Sequence, residues 1–395
     1  MPTCWVQIHG YRRSLTVNRE FERYLPESRT YLSRKPSWWS YTHLDAWMLL
    51  LLLLLCGFGL FVLYSASGQD VGYVSRQALR MGAGFFVLIV LAQVTPRFLG
   101  RWAPWLFVIG VGLLAAVLLF GVGAKGAQRW LALPGFRFQP SEIMKLVLPL
   151  TVAYYLSSRP LPPSIKHVVV ALVLIGLPTA LIMKQPDLGT SLLIAASGVF
   201  VLLLSGIRWR FIFAALAVAG AALPALWAVM KDYQRQRVLT FLDPESDPLG
   251  AGWNIIQSKT AIGSGGLYGK GWLSGTQSQL DFLPESHTDF IIAVVAEELG
   301  LIGVLILLTL YLLIIARGLV MASQAPDSFG RLLSGSIILT FFVYVFVNIG
   351  MVSGLLPVVG VPLPLISYGG TSLVTLMAGF GILMSIHNHR TMLKK

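Results

Sequence analysis

The residues most able to do chemistry in this chain are a carboxylate at the head of an apolar run, an acid–base trio buried in other such runs, and a set of cations beside clustered glycines. Asp289 lies in Pro284-Glu-Ser-His-Thr-Asp289-Phe-Ile-Ile. A carboxylate there can act as a general base. It can equally serve as a helix N-cap, as can Thr288 or Ser286. Asn caps about as well as Asp but accepts no proton, so the two roles are separable. His287 is either a surface hydrogen-bonder or a partner of Asp289. Glu142 and Lys145 are three residues apart, on one helical face where they can pair. Asp187 is the expected second partner of Lys145. Ionisable groups inside a bilayer are costly and face a cavity or one another, so this trio is either glue between helices or a substrate contact. Glu297 and Glu298 would lie about 12 to 14 Å deeper than Asp289 along a helix, as part of a polar path or as a proton-sharing pair.

The stretch from Lys231 to Thr288 is too long for a simple connection. It carries Arg235, Arg237, Lys259 and Lys270, with six glycines between Gly263 and Gly275. Gly-rich turns can present N–H groups to a phosphate while cations neutralise it; a flexible turn with scattered solvated charges is the plainer alternative. It is not a Walker A loop, because Ser264 stands where the first Gly belongs and Gly271 where Ser or Thr belongs.

The elements that must position these groups follow from composition. The chain has 395 residues, of which 55% are hydrophobic and 12% charged, against about 25% charged in soluble domains. Ten apolar runs, each near the roughly 20 residues that span hydrocarbon as a helix, begin at about Trp47, Leu79, Pro104, Glu142, Val168, Leu188, Phe211, Phe290, Leu332 and Ser367. The expected fold class is an all-α polytopic membrane protein with ten transmembrane helices and one large extracytoplasmic loop. Residues 1–46 are expected as a cytoplasmic tail, 47–390 as the membrane domain with 231–288 as a large periplasmic loop, and 391–395 as a second cytoplasmic tail. The first run is long enough to read as a signal anchor rather than a cleaved signal peptide. With a cytoplasmic N-terminus, 18 of the 30 basic residues fall on inner segments, as the positive-inside bias requires. The net charge of +13 therefore points to membrane lipid and not to nucleic acid. Cys4 and Cys56 alone make neither a disulfide framework nor a metal site.

This orientation puts every motif rich in Gly, Pro and polar residues outside: Lys125-Gly-Ala-Gln-Arg129-Trp130, Gln139-Pro-Ser-Glu142, Gln185-Pro-Asp187-Leu-Gly189, the long loop, and Pro362-Leu-Pro-Leu-Ile-Ser367-Tyr368-Gly-Gly. Function is therefore expected on the outer side. A lipid flippase, which predicts polar features on both faces, and a non-catalytic scaffold for a transpeptidase are the alternatives.

These motifs, in this order from about Leu44 to Arg390, resemble the SEDS family (shape, elongation, division, sporulation). Asp243-Pro-Glu-Ser-Asp-Pro-Leu-Gly-Ala-Gly252 and Gly275-Thr-Gln-Ser278 resemble its rod-shape elongation branch more than its division branch. The resemblance implies a peptidoglycan glycosyltransferase that polymerises lipid II in the bacterial inner membrane, with Asp289 as the essential acid and Glu142, Lys145 and Asp187 as an intramembrane charged trio. It also implies a class B penicillin-binding protein as transpeptidase partner, within an elongation complex. On this reading Asp289 is the base, and Arg129, Lys259 and Lys270, with a divalent cation such as Mg or Mn as an option, stabilise the departing undecaprenyl pyrophosphate; Lys125, Ser367 and Tyr368 join the substrate-binding set. The tail before about Ser37 is longer than is usual in the family and is assigned no role.

Overall fold

The computed structural model describes residues 44–393 apart from 125–126, 134–135, 231, 244, 246–250, 281 and 283–285. The tail before Leu44 and the candidate Lys125 lie outside the described residues.

Each of the ten apolar runs forms a helix. They are α1 (Ala46–Ala66), α2 (Val71–Gln93), α3 (Pro96–Phe120), α4 (Pro140–Ser157), α5 (Ile165–Lys184), α6 (Leu188–Leu204), α7 (Trp209–Val229), α11 (Ile291–Ser323), α12 (Ser328–Val352) and α13 (Thr371–Leu393). Seven of these, α1, α2, α3, α5, α11, α12 and α13, are long and apolar enough to cross a membrane, and α6 is a shorter apolar helix. Helices this apolar on all sides expose Leu, Ile, Val and Phe where a soluble fold would expose polar groups. Their ends are set by local chemistry: the Asp45 carboxylate caps α1 through the Met48 N–H, the Asp327 carboxylate caps α12 through the Gly330 N–H, and Pro stands in the first turn of α3 and α4.

Two expectations are refined and one is corrected. Beside its helices the chain carries β1 (Val122–Ala124), β2 (Ala127–Leu133) and β3 (Phe136–Phe138), which form an antiparallel meander. The stretch after α7, expected to be more than a simple connection, holds α8 (Asp232–Leu242), α9 (Ala251–Gly265) and α10 (Thr276–Gln279). Finally, α2 begins eight residues before the expected Leu79, so Arg76 and Arg80 are helical and not part of a connecting loop.

The interior forms two main apolar clusters. One gathers α1, α2, α11, α12 and α13 around Leu52, Phe290, Phe341 and Phe380; the other gathers α3 to α6 with the near faces of α12 and α13 around Met144, Leu148, Ile194 and Leu333. Hydrogen bonds and close contacts draw Ala66, the first turns of α2, the ends of α3 and α5, the starts of α4, α6, α11 and α13, and the segment 353–370 to one end of the bundle. The Asp45–Arg317 ion pair marks the opposite end.

α11 is broken. Gly300 has φ +64° and ψ −163° inside it, a conformation open essentially to glycine. The Gly-rich turn after α9 packs into this break. The N–H groups of Lys270 and Gly271 donate to the carbonyls of Glu297 and Glu298 at 3.0 Å each, and those of Leu301 and Ile302 donate to the carbonyls of Gly266 and Leu267 at 3.0 and 3.2 Å. A Cβ at Gly269 would stand 2.1 Å from the Glu298 carbonyl oxygen, and one at Gly265 would stand 1.9 Å from that of Ala296. The glycines are therefore required for backbone contact with α11, and the peptide groups freed by the break are satisfied about 9 to 15 Å along the helix from its start. Trp272 stacks on Phe61 of α1 with centroids 4.7 Å apart, which fixes the turn's far side.

Candidate active site

Asp289 lies in the turn Ser286–Phe290 that feeds α11, and the N-cap position is Phe290, not Asp289. Every residue around it ties that turn down. The Ser286 hydroxyl donates to the Ala66 carbonyl at 3.2 Å, and the Ser367 hydroxyl donates to the Thr288 carbonyl at 2.5 Å. The Tyr368 N–H donates to the His287 carbonyl at 2.9 Å. The fully buried Asn348 amide donates twice, to the Asp289 carbonyl at 2.9 Å and to the Val361 carbonyl at 2.7 Å. The Asp289 Oδ2 lies 3.5 Å from the position a Cβ would take at Gly360, an ordinary contact that places the carboxylate against this backbone, and the φ of +75° there favours glycine. Gln77 of α2, also fully buried, holds the same segment from behind: its amide donates to the Ser367 carbonyl at 3.1 Å and accepts from the Gly369 N–H at 3.3 Å. Ser367 and Tyr368 are thus direct supports of the Asp289 turn.

The charged trio resolves into two pairs, which corrects the expected Lys145–Asp187 partnership. Lys145 donates to Glu142 Oε1 at 2.7 Å, the Thr375 hydroxyl donates to Glu142 Oε2 at 3.0 Å, and the ammonium sits 5.1 Å over the Tyr344 ring. These groups line a crevice between α4, α12 and α13 with Thr340 and Ser372, where the Thr340 hydroxyl is buried without a partner among the described residues. Asp187 instead caps α6 through the Thr190 N–H and hydroxyl, at 3.2 and 3.0 Å, and pairs with Arg129 of β2 at 3.3 Å. The reason is geometric: the meander brings Arg129 over the start of α6, where it also bonds the Pro186 carbonyl. Tyr344 and Asn348 are one turn apart on α12, about 6 Å along the axis, so the crevice and the Asp289 turn are neighbours.

The remaining cations are placed apart from the trio. Lys270 donates to the fully buried Glu297 at 2.7 Å, and Glu297 also accepts from the Thr276 hydroxyl and the Gln277 N–H. Its charge thus locks the Gly-rich turn to α11. Exposed Lys259 rests on Gly354 at the end of α12, where a Cβ would stand 2.2 Å from its Cε. Glu298 accepts from Ser65 of α1 at 2.6 Å. Beside the Asp289 turn lies a group that sequence reading passed over: Arg80 over the Tyr368 ring at 4.5 Å, and Arg76 over the Tyr73 ring at 4.8 Å with its Nε 3.3 Å from the Tyr368 hydroxyl. The available signal was the polar set Arg76, Gln77 and Arg80 at the head of an apolar run. Among the described residues no three His, Cys, Asp or Glu side chains converge. A divalent cation held here would have one carboxylate, that of Asp289, as its protein ligand and would keep substrate phosphate and water as the others.

Comparison with known proteins shows the family to which this fold belongs. The model of the cell cycle protein family of FtsW, RodA and SpoVE matches residues 46–392. The chain is 60% identical over 362 residues to the peptidoglycan glycosyltransferase MrdB of Escherichia coli K12, covering 91% of this chain and 98% of that one. It is 38% identical to the probable peptidoglycan glycosyltransferase FtsW of Trichlorobacter lovleyi, covering 87% and 92%. Among solved structures, a chain described under the structural coordination of polymerization and crosslinking by a peptidoglycan synthase complex superposes with a TM-score of 0.78 at 33% identity, covering 88% and 98%. The rod shape determining protein RodA of Thermus thermophilus superposes with a TM-score of 0.67 at 30% identity, covering 88% and 97%. The chain is an integral membrane protein and belongs to the SEDS family of FtsW, RodA and SpoVE cell cycle proteins.

Proposed function

We propose that the chain is the glycosyltransferase that polymerises lipid II into peptidoglycan strands during cell elongation. The observation that carries this reading is the Asp289 turn: a carboxylate-bearing segment whose backbone and Ser286 are tied down by four hydrogen bonds, with the Arg76–Arg80 group on its Tyr368 support, in a membrane fold that shares 60% identity with MrdB. In the reaction, Asp289 takes the proton of the acceptor sugar's C4 hydroxyl as its oxygen attacks C1 of the growing chain's terminal sugar. The C1–O bond to the diphosphate breaks, the electron pair leaves on the diphosphate oxygen, and the anomeric centre inverts. A stabilised diphosphate departs without protonation, so one base is enough. Thr375 and Tyr344 place the Glu142–Lys145 pair to line the sugar path. Lys125, Arg129, Asp187 and Lys259 are assigned to substrate contact, and Lys270 to holding the loop. A bound divalent cation would add charge neutralisation at the diphosphate.

The ten apolar helices, the shorter α6 among them, cross the inner membrane, with both termini cytoplasmic and residues 231–288 on the periplasmic side. The basic residues on the inner segments support this orientation. The partner is a crosslinking enzyme, a class B penicillin-binding protein.

The test is polymerisation of labelled lipid II by purified protein in liposomes. Asp289→Asn is expected to lower the rate by about 10²- to 10⁴-fold, the usual range for a general base. Equal glycan yield from the two proteins would remove Asp289 from the chemistry, and headgroup translocation without polymer would replace the enzyme by a flippase.

A further inference from the structure

Of the cations named so far, Arg129 is paired with Asp187, Lys145 with Glu142 and Lys270 with Glu297, and Lys259 rests on Gly354 at the end of α12. Arg76 and Arg80 stand on the Asp289 turn itself. Among the described residues neither makes an ion pair with a carboxylate within 4 Å; the nearby Asp70 caps α2, its Oδ1 accepting from the Gly72 N–H at 2.6 Å, and adds its charge to the surroundings of Arg76.

They lie in the second and third turns of α2, at the Asp289 end of the bundle. In the proposed orientation that is the outer side, against the positive-inside bias, and an anion bound between them accounts for two arginines there.

Their mounting fits that anion. Four residues apart, they emerge from one face of α2. Arg80 lies face-on to Tyr368 and Arg76 face-on to Tyr73, the two rings being edge to face with centroids 5.0 Å apart. A guanidinium over a ring keeps its N–H edges available, and among the described residues Arg76 donates from its Nε alone, to the Tyr368 hydroxyl. Tyr368 is in turn bonded to the carbonyl of His287, two residues before Asp289. Two guanidinium groups on the same support as the carboxylate match two linked phosphates, each of which an arginine can grip with a pair of bonds.

We propose that Arg76 and Arg80, mounted on Tyr73 and Tyr368, form the binding pair for the diphosphate of a lipid-linked sugar at the Asp289 site. This rests on the glycosyltransferase reading, and its test does not need turnover. Binding of a fluorescent polyprenyl diphosphate is measured with Asp289→Asn protein in phosphatidylcholine nanodiscs. Adding Arg76→Gln and Arg80→Gln together is expected to weaken binding about tenfold or more, with the two Lys substitutions intermediate because a lysine keeps the charge but loses the fork. Binding of a polyprenyl monophosphate should change less. Affinity within twofold of the parent in the double variant would overturn the proposal. So would competition by phosphatidylglycerol in the nanodisc as effective as that of unlabelled diphosphate, which would make the pair a general lipid-headgroup clamp. Should the double variant fail to fold, the single Gln variants decide, each expected to lose about threefold. A wild-type protein that binds the diphosphate yet makes no glycan would end the enzyme reading while leaving the arginine pair standing.

Discussion

Replacing Asn348 by Leu removes the double amide bond that ties the Asp289 turn to the 361 segment while nearly keeping the side-chain volume. Only the Nδ2 group bonds there, to the carbonyls of Asp289 and Val361, and the Oδ1 has no partner among the described residues. The two hydrogen bonds contribute about 1 kcal/mol each. The loss is thus about 2 kcal/mol, roughly 30-fold in the equilibrium between the seated and released turn, before the cost of two stranded carbonyls is added. Initial rates of lipid II polymerisation at saturating substrate should therefore fall by about 10- to 30-fold, with KM changed far less, because what is lost is the position of the base and not substrate contact. Size-exclusion profile and thermal midpoint in detergent serve as the folding controls, since the core around Asn348 keeps its packing. Asn348→Asp, which aims a carboxylate at two carbonyl oxygens, should be worse than Leu. A folded Asn348→Leu protein that polymerises within twofold of wild type would refute the argument that these bonds set the carboxylate.

Two further outcomes follow from the ion pairs. Lys270→Glu or Glu297→Lys alone should abolish folded expression or activity, because each leaves a like-charged pair beside a buried site, whereas the double exchange should recover a measurable part of either, read by fluorescence-detected size exclusion and glycan yield; no recovery would mean that the backbone bonds alone hold the turn. At the opposite end, burial raises the Asp45 carboxyl, but the Arg317 guanidinium and the Met48 N–H together outweigh it and hold the group below its ordinary 3.8. A depressed carboxyl adds stability that is present above the unfolded value and is lost as pH falls through the folded one. Thermal midpoints should accordingly drop below about pH 4 more steeply in wild type than in Asp45→Asn, and parallel acid limbs would exclude this pair as a contributor.

The helices were legible because hydrophobicity alone demands them: ten apolar runs gave ten helices, with ends displaced where polar residues begin a helix, as at Arg76 and Arg80. Asp289 was legible from its place at the head of a run, but its N-cap alternative was not decidable without the turn that places Phe290 at the cap. The meander was missed because strands of three residues carry too little periodicity to register. Asp187 was matched to the wrong cation, since sequence shows depth in the membrane but not the lateral position that the meander gives to Arg129. Asn348 and Gln77 drew no reading from the sequence, because their meaning depends on carbonyls more than ten residues away.

The seam between the Gly-rich turn and the break in α11 also bears on how the length of this chain can change. Four main-chain bonds join residues 266–271 to 297–302 in fixed register, and glycine is required on both sides. One inserted or deleted residue within either strand of the seam would move Lys270 off Glu297 and set a side chain against a carbonyl. Gains and losses of length between relatives should then collect outside the seam, in the stretch between α8 and α9.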